Sequence, residues 1–154
     1  MYESVSELPT PIQDLMNKAQ QARDHAYAPY SRFKVGAALQ MDNGSVVTGN
    51  NQENAAYPSG LCAERVAVFH AGATYPDMPI TAIAICVQSS EKQIATPTPP
   101  CGACRQSLAE YEARQQQSMA VYFMGEIGQV IKAHSVADLL PLVFDRSFLD
   151  PDVS

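Results

Sequence analysis

The spacing of apolar residues along the chain separates helical from strand-like segments. Apolar residues recur every three or four positions up to Pro29, a period that predicts an amphipathic helix over about residues 10–27. Thr10 and Gln13 have the spacing of a capping box, and Pro11 between them suits the first helical position. The first helix is therefore expected to be capped at Thr10.

Two strand-like runs follow in residues 33–50, and Asn43-Gly44 between them supplies the positive φ angles of a hairpin turn. The remaining segments are predicted, in order, as a helix from CAER to about Gly72, a strand ITAIAICVQ, a helix from PCGAC, a strand MAVYFM, a short strand GQVIKA and a helical turn SVADLLP. ITAIAICVQ has no polar face, which indicates a strand buried on both sides. We expect an α/β fold, a three-layer α-β-α sandwich with a mixed sheet of about five strands.

Size and charge narrow the function. The 154 residues, 46% hydrophobic and 17% charged, fit one domain over residues 1–154, with an acidic, mobile tail over about 146–154. A net charge of −6 offers no basic stripe to a phosphate backbone, so a small molecule is a better partner than a nucleic acid polymer. The sequence has no run of about 18 apolar residues and no N-terminal signal pattern, so we expect a cytoplasmic protein without a membrane partner.

Four cysteines carry the candidate chemistry. They could form disulfides in three ways, but grouped thiols in a reducing compartment more often bind metal or react. Cys62, Cys101 and Cys104 lie where the chain enters helices, and the helix dipole there favours the thiolate that binds metal. Three thiolates would leave the fourth position of a tetrahedral zinc open, as in catalytic sites. Cys86, inside the apolar strand, is expected to be a small core side chain.

The residues beside these cysteines fit a catalytic zinc site better than a structural one. Glu64 follows Cys62 by two positions, so it would lie close to the metal and could take up and hand on a proton. Thiolates around one zinc leave excess negative charge, which the guanidinium groups of Arg65 and Arg105 would offset.

These residues resemble a known family. CAER followed at long spacing by PCGACRQ is similar to the zinc signature of cytidine deaminases, in the small homotetrameric class with a three-cysteine site. The segments AYAPYSRFKVGAAL, TGNNQENAAYPSG and LLPLVF match in the same order, so the resemblance covers about residues 12–145. It implies a cytidine deaminase-like fold, one Zn²⁺ per subunit, and hydrolysis of cytidine and 2′-deoxycytidine to uridine and 2′-deoxyuridine with release of ammonia, a reaction of pyrimidine salvage.

The resemblance also implies roles for individual residues. The three cysteines would bind zinc and Glu64 would shuttle protons while C4 of the cytosine is attacked. Asn51 and Glu53 would hold the ribose hydroxyl, and Phe33 would pack against the nucleoside. The backbone of Ala63 would meet the base. Phe144 would stack on the pyrimidine from a neighbouring subunit, which implies a homotetramer with shared active sites.

Two features depart from the family pattern. The loop over residues 88–100, which contains SSEKQIATPTPP, is a few residues longer than usual before PCGAC. Leu142-Val143 stands where small polar residues are common, so Phe148 is an alternative to Phe144 as the stacking residue. The histidines His25, His70 and His134 have no partner at metal-binding spacing and are interpreted as surface or packing residues.

Other functions remain alternatives at this point. A deaminase of cytosine-nucleoside antibiotics such as blasticidin S would share the zinc motifs, although FKVGAAL and the N-x-E motif favour the ordinary nucleoside enzyme. A polynucleotide deaminase would need a cationic, aromatic surface, against which the acidic charge counts. From a different class, a non-catalytic zinc-binding module would keep the metal but make no use of Glu64.

Overall fold

The computed structural model describes residues 1–149, in which five strands form one sheet with helices on both faces. The helices are α1 (Thr10–Asp24), α2 (Ala63–Thr74) and α3 (Gly102–Gln115). The strands are β1 (Phe33–Met41), β2 (Val46–Asn50), β3 (Ile80–Ser89), β4 (Ala120–Met124) and β5 (Val130–Ala133). Short 3₁₀ turns span Val5–Glu7, Tyr57–Ser59, Ala137–Leu139 and Arg146–Phe148.

The strand order is β2-β1-β3-β4-β5. β1 is antiparallel to both β2 and β3, and β4 is antiparallel to β5. β3 and β4 are parallel, because α3 carries the chain back across the sheet between them. The predicted mixed, five-stranded α/β sheet is confirmed.

The two faces of the sheet bury two separate apolar clusters, since successive strand residues point to opposite faces. One cluster packs α1 against the sheet through Leu15 and Met16, and the other packs α2 and α3 through Val68 and Leu108. In β3, alternate residues belong to each cluster, so the strand is buried on both sides as predicted. These contacts give the predicted three layers.

Two glycines let the helices approach the sheet closely. A Cβ at Gly36 in β1 would collide with the backbone of α1 at Ala19 and Arg23. A Cβ at Gly49 in β2 would lie 2.5 Å from both the carbonyl oxygen of Ala63 and the amide nitrogen of Ala67. Helix α2, whose first turn carries Glu64, is therefore seated directly on β2.

The start of α1 differs from the predicted capping box. Thr10 is the first helical residue, the N-cap position is Pro9, and no side chain caps the helix. The side-chain amide of Gln13 donates instead to the carbonyl oxygens of Leu8 at 2.8 Å and Ser6 at 3.2 Å. The prediction of a Thr10 cap was wrong because the preceding 3₁₀ turn folds back over Gln13 and uses its side chain.

Two helices end at other residues than predicted. α1 ends at Asp24 rather than near residue 27, because the backbone of Tyr27 pairs with the strand-like segment around Gln52. α2 continues past Gly72 to Thr74. Gly72 leaves room for α3 to pack against α2, because a Cβ at this position would lie 2.5 Å from Oη of Tyr111 on α3.

The predicted tail over residues 146–154 begins with a short 3₁₀ turn. Asp145 caps the turn Arg146–Phe148 by accepting from the amide of Ser147. The rest of the predicted mobile tail, residues 150–154, lies outside the described residues. Within residues 1–149, every helix is too short or too polar to cross a membrane.

We predict that Gly49→Ala and Gly36→Ala both lower the melting temperature, because each added methyl group meets helix backbone that cannot move aside cheaply. Such overpacking costs about 1–3 kcal/mol. Only Gly49→Ala should also weaken zinc binding, since α2 carries Cys62 at its N-terminus and α1 carries no candidate ligand. Thermal unfolding and zinc titration check both variants. Equal zinc affinity in the two would contradict the proposed link between β2 and the metal site.

Candidate active site

Three thiols meet where two helices begin. Cys62 is the N-cap residue of α2, Cys101 is the N-cap residue of α3, and Cys104 lies in the first turn of α3. The Sγ atoms of Cys62 and Cys101 are 3.9 Å apart, those of Cys101 and Cys104 are 3.5 Å apart, and all three lie within 4.8 Å of one another. Tetrahedral zinc with Zn–S bonds of about 2.3 Å would need S–S separations of about 3.8 Å. The cluster therefore fits a zinc ion, and the separations are far longer than a disulfide bond.

The thiols share charge unequally. A hydrogen bond from the Cys104 thiol to the Cys62 sulfur, together with the nearby Arg65 guanidinium, lowers the pKa of Cys62 to about 5. The same sharing, added to burial, raises the pKa of Cys104. Nη2 of Arg65 lies 3.9 Å from Sγ of Cys62, as expected of a cation that offsets thiolate charge. The cluster thus holds a thiolate at neutral pH, the form that binds metal.

Glu64 is a buried acid beside the thiols. Its side chain is only 4% exposed, and it lies in the first turn of α2 directly after Cys62 and Ala63. Burial raises the pKa of Glu64, and the negative charge of Cys62 adds to that effect. A carboxyl group whose pKa lies above its ordinary value can take up and release a proton closer to neutral pH.

A short backbone bridge brings the loop before α2 to the site. Gln52 and Leu61 pair through two hydrogen bonds, with N···O distances of 2.9 and 3.0 Å. The antiparallel pairing closes the turn-rich loop between them, sets Asn51 opposite Cys62, and brings Asn51, Glu53 and Cys62 to one cavity. The N-x-E and CAER segments are thereby joined in space.

Asn51 is buried and holds the first part of β1. Its Oδ1 accepts from the amide of Val35 at 2.7 Å, and its Nδ2 donates to the carbonyl of Phe33 at 2.9 Å. These two bonds leave one N–H and one lone pair of the amide for a ligand. Asn51 therefore fixes the position of Phe33 whatever else it binds.

The Glu53 carboxylate is held by the loop before β1. Its Oε2 accepts from the amides of Tyr30 at 2.9 Å and Ser31 at 3.2 Å. The hydroxyl of Ser31 and these two amides lower the pKa of Glu53, so the group is ionised. Its other oxygen, Oε1, can accept from a hydroxyl group.

These residues surround a cavity of about 690 Å³, a size that suits a ligand such as a nucleoside. Its walls combine apolar and aromatic side chains with the polar groups described above. They are Tyr30, Ser31, Phe33, Val35, Asn51, Gln52, Glu53, Asn54, Tyr57, Gly60, Leu61, Cys62, Glu64, Arg65, Ile85, Val87, Thr98, Pro99 and Cys101. Cavity and thiol cluster therefore form one site.

The long loop before α3 forms one wall of the cavity through Thr98 and Pro99. The loop is anchored earlier, where the carbonyl of Ile94 accepts from the amide of Glu126 at 2.7 Å. Gly125 makes this contact possible, because a Cβ there would collide with the carbonyl oxygen of Ile94. The turn between β4 and β5 thus supports the wall.

The remaining predicted residues lie in two places. Ala63 is fully buried as the first residue of α2, next to the cavity. Phe144 and Phe148 are exposed and stack on each other with ring centroids 5.6 Å apart, and neither lines the cavity of its own chain within the described residues. The guanidinium of Arg105 donates to the carbonyls of Pro100 and Leu139, so its role in offsetting thiolate charge stays a prediction.

Sequence reasoning missed an aromatic wall of the cavity. Tyr30 and Tyr57 are not among the predicted site residues, yet both line the cavity, with their ring centroids 5.9 Å apart. Both side chains are about half exposed or more. Their position in turn-rich loops next to the N-x-E motif is the signal that could have identified them, since exposed aromatic residues often mark binding surfaces.

Fold and site together define a zinc-binding α/β protein with an acid at the cavity. A family model described as the cytidine and deoxycytidylate deaminase zinc-binding region matches residues 9–120. The cytidine deaminase of Halalkalibacterium halodurans is 44% identical over 132 residues, 86% of this chain and 92% of that protein. That of Sporosarcina psychrophila is 38% identical over 138 residues, 90% of this chain and 94% of that protein.

A solved structure agrees with these relatives. The crystal structure of cytidine deaminase from Burkholderia pseudomallei matches with a TM-score of 0.74 and 41% identity, over 85% of this chain and 97% of that chain. This chain belongs to the cytidine deaminase family. The zinc-binding description of the family model and the three-thiol cluster agree on Zn²⁺ as its cofactor.

We predict that Cys101→Ala loses bound zinc whereas Cys86→Ala retains about one zinc per chain. Cys86 is fully buried among apolar residues of β3, and burial raises its pKa to about 11, so it is an inert thiol. Metal analysis of the purified variants measures the difference. Loss of zinc from a folded Cys86→Ala protein would contradict the assignment of the cluster.

Proposed function

We propose that this protein hydrolyses cytidine and 2′-deoxycytidine to uridine and 2′-deoxyuridine with release of ammonia, a step of pyrimidine salvage. The observation that carries the proposal is the buried Glu64 carboxyl group beside three thiols at a nucleoside-sized cavity. As a member of the cytidine deaminase family, the enzyme is a hydrolase acting on C–N bonds of cyclic amidines.

Cys62, Cys101 and Cys104 would hold the zinc ion, leaving one coordination position open to the cavity. When bound, zinc lowers the pKa of a coordinated water so that it becomes a nucleophile near neutral pH. The Arg65 guanidinium lies against Cys62 and offsets part of the thiolate charge. This arrangement supports a hydrolytic rather than a structural site.

Glu64 would carry the proton during deamination. Loss of the exocyclic amine from C4 requires protonation of its nitrogen, because an amide anion is a very poor leaving group. The carboxyl group is adjacent to the thiols and faces the cavity, and burial holds its pKa above the ordinary value. It can therefore accept a proton from the nucleophile and donate it to the base.

The nucleoside would bind between the aromatic wall and the N-x-E segment. The free Oε1 of Glu53 and the unused N–H of Asn51 would hold a ribose hydroxyl. Phe33, fixed by Asn51, would pack against the nucleoside, and the backbone at Ala63 would meet the base.

The charge of the cavity favours a nucleoside over a nucleotide, a distinction that matters because the family description covers deoxycytidylate deaminases as well. Among the described residues that line the cavity, the carboxylic acids are Glu53 and Glu64, and the only Lys or Arg side chain is that of Arg65. The Arg65 guanidinium is directed to Cys62, which leaves the carboxylate of Glu53 to repel a 5′-phosphate.

We propose a homotetramer in which Phe144 stacks on the base bound by a neighbouring subunit. The support is that Phe144 is 56% exposed and lies away from the cavity of its own chain. Leu142 and Leu149, which lie near Phe144 in the sequence, are also exposed apolar residues, as expected of an interface.

A cytoplasmic location fits a cluster of free thiols that an oxidising compartment would convert to disulfides.

We predict that Glu64→Gln lowers the rate of uridine formation by about 10²–10⁴-fold with zinc retained, because the amide cannot shuttle a proton. Glu110→Gln, an exposed substitution on α3, is the matched control and should keep full activity. Cytidine, 2′-deoxycytidine, their 5′-monophosphates and blasticidin S form the substrate panel. Equal turnover of cytidine by wild type and Glu64→Gln would refute the mechanism, and preferred turnover of blasticidin S would favour the antibiotic deaminase.

We predict that Phe144→Ala raises KM for cytidine about 5- to 100-fold, because base–aromatic stacking is lost. Phe148→Ala should have a smaller effect, since Phe148 would act only by supporting the Phe144 ring. Steady-state kinetics and light scattering for subunit number measure both variants. The reverse order of effects would identify Phe148 as the stacking residue, and an active monomer would rule out shared sites.

A further inference from the structure

The segment Leu139–Phe144 is bonded to helix α3 by two consecutive side chains. Nη1 of Arg105 donates to the carbonyl oxygen of Leu139 at 3.0 Å. Nε2 of Gln106 donates to the carbonyl oxygen of Phe144 at 2.8 Å. The first and last residues of the segment are therefore both held by the first turns of the helix that carries Cys104.

Arg105 also holds the end of the loop that leads into Cys101. Its Nε donates to the carbonyl oxygen of Pro100 at 2.8 Å, one residue before Cys101. A guanidinium group presents its N–H donors in a fixed planar fork, so one side chain spans two carbonyl oxygens in a defined geometry. Arg105 thus connects the entrance of α3 to the segment that carries Phe144.

The chain between these two hydrogen bonds has an uncommon conformation. Leu142 is fully exposed and has a φ of +59°, in the left-handed region that a leucine seldom adopts. Upstream, the carboxylate of Glu112 on α3 accepts from the amides of Val136 and Ala137 at 2.9 and 3.2 Å. Side chains of α3 therefore hold the backbone just before the segment Leu139–Phe144 and at both of its ends.

We propose that Arg105 and Gln106 are positioning residues, which fix the segment Leu139–Phe144 to the zinc-bearing helix and so set where the Phe144 ring is presented. The inference rests on the proposed role of Phe144 as the stacking residue. It assigns Arg105 a different task from the charge offset expected from its position beside Cys104, because both of its contacts are neutral carbonyl oxygens.

Substitution of Gln106 tests the inference without changing charge or touching the cysteines. Gln106→Ala removes one hydrogen bond and should raise KM for cytidine about 2- to 10-fold, with kcat and zinc content unchanged. Gln21→Ala, in an exposed position of α1, is the matched control and should behave as wild type. In a Phe144→Ala background, Gln106→Ala should add little, since the two changes affect the same contact.

Arg105 variants separate positioning from charge. Arg105→Lys keeps the positive charge but cannot span both carbonyl oxygens as the planar fork does. We therefore expect Arg105→Lys to raise KM as much as Arg105→Gln. Wild-type kinetics in Arg105→Lys combined with a raised KM in Arg105→Gln would show that charge is what matters, and would overturn the assignment for Arg105.

Hydrogen–deuterium exchange gives a readout that does not depend on catalysis. Exchange of the peptide covering Leu139–Phe144 should be faster in Gln106→Ala than in wild type or Gln21→Ala. Unchanged exchange would overturn the inference whatever the kinetics. Faster exchange with wild-type KM in both Gln106→Ala and Phe144→Ala would refute the proposed role of Phe144, and with it the catalytic consequence of the tether.

Discussion

The seating of two helix N-termini against each other is the constraint on which the site depends. Cys62 and Cys101 are N-cap residues, so the position of each thiol is fixed by where its helix begins. The dipoles of both helices favour negative charge at this point, which makes a cluster of thiolates less costly than it would be elsewhere. Because Gly49 and Ala67 bring α2 onto β2 without intervening side chains, the core packing sets the geometry of the metal ligands.

Three polar side chains in or beside the site are held by backbone groups. Asn51 is bonded to β1, Glu53 to the loop before β1, and Arg105 to two carbonyl oxygens. A polar side chain with its bonds to backbone already made loses little conformational entropy when a ligand arrives. The ordered scaffold therefore prepares the cavity, and Glu64, whose carboxyl group is buried, keeps a raised proton affinity for the chemistry.

Much of this could be predicted from sequence, because its signals are local. Helical and strand periods gave the order of elements and the mixed sheet, and the spacing of Cys101 and Cys104 indicated the metal cluster. What could not be predicted depends on contacts between distant segments. The capping box at Thr10 failed because Gln13 bonds to the preceding turn, and nothing in the spacing of Arg105 reveals that it contacts Leu139, thirty-four positions away.

The anchor of the long loop at Ile94 divides that loop into two parts with different freedom. Residues 91–93 before the anchor are exposed and do not line the cavity, so additional length there can be accommodated at the surface. Residues 95–99 run from the anchor to the cavity wall, and a change in their number would shift Thr98 and Pro99. Insertions before Ile94 therefore change only the length of the loop at the surface. Insertions after Ile94 change the cavity wall and with it the fit of the substrate.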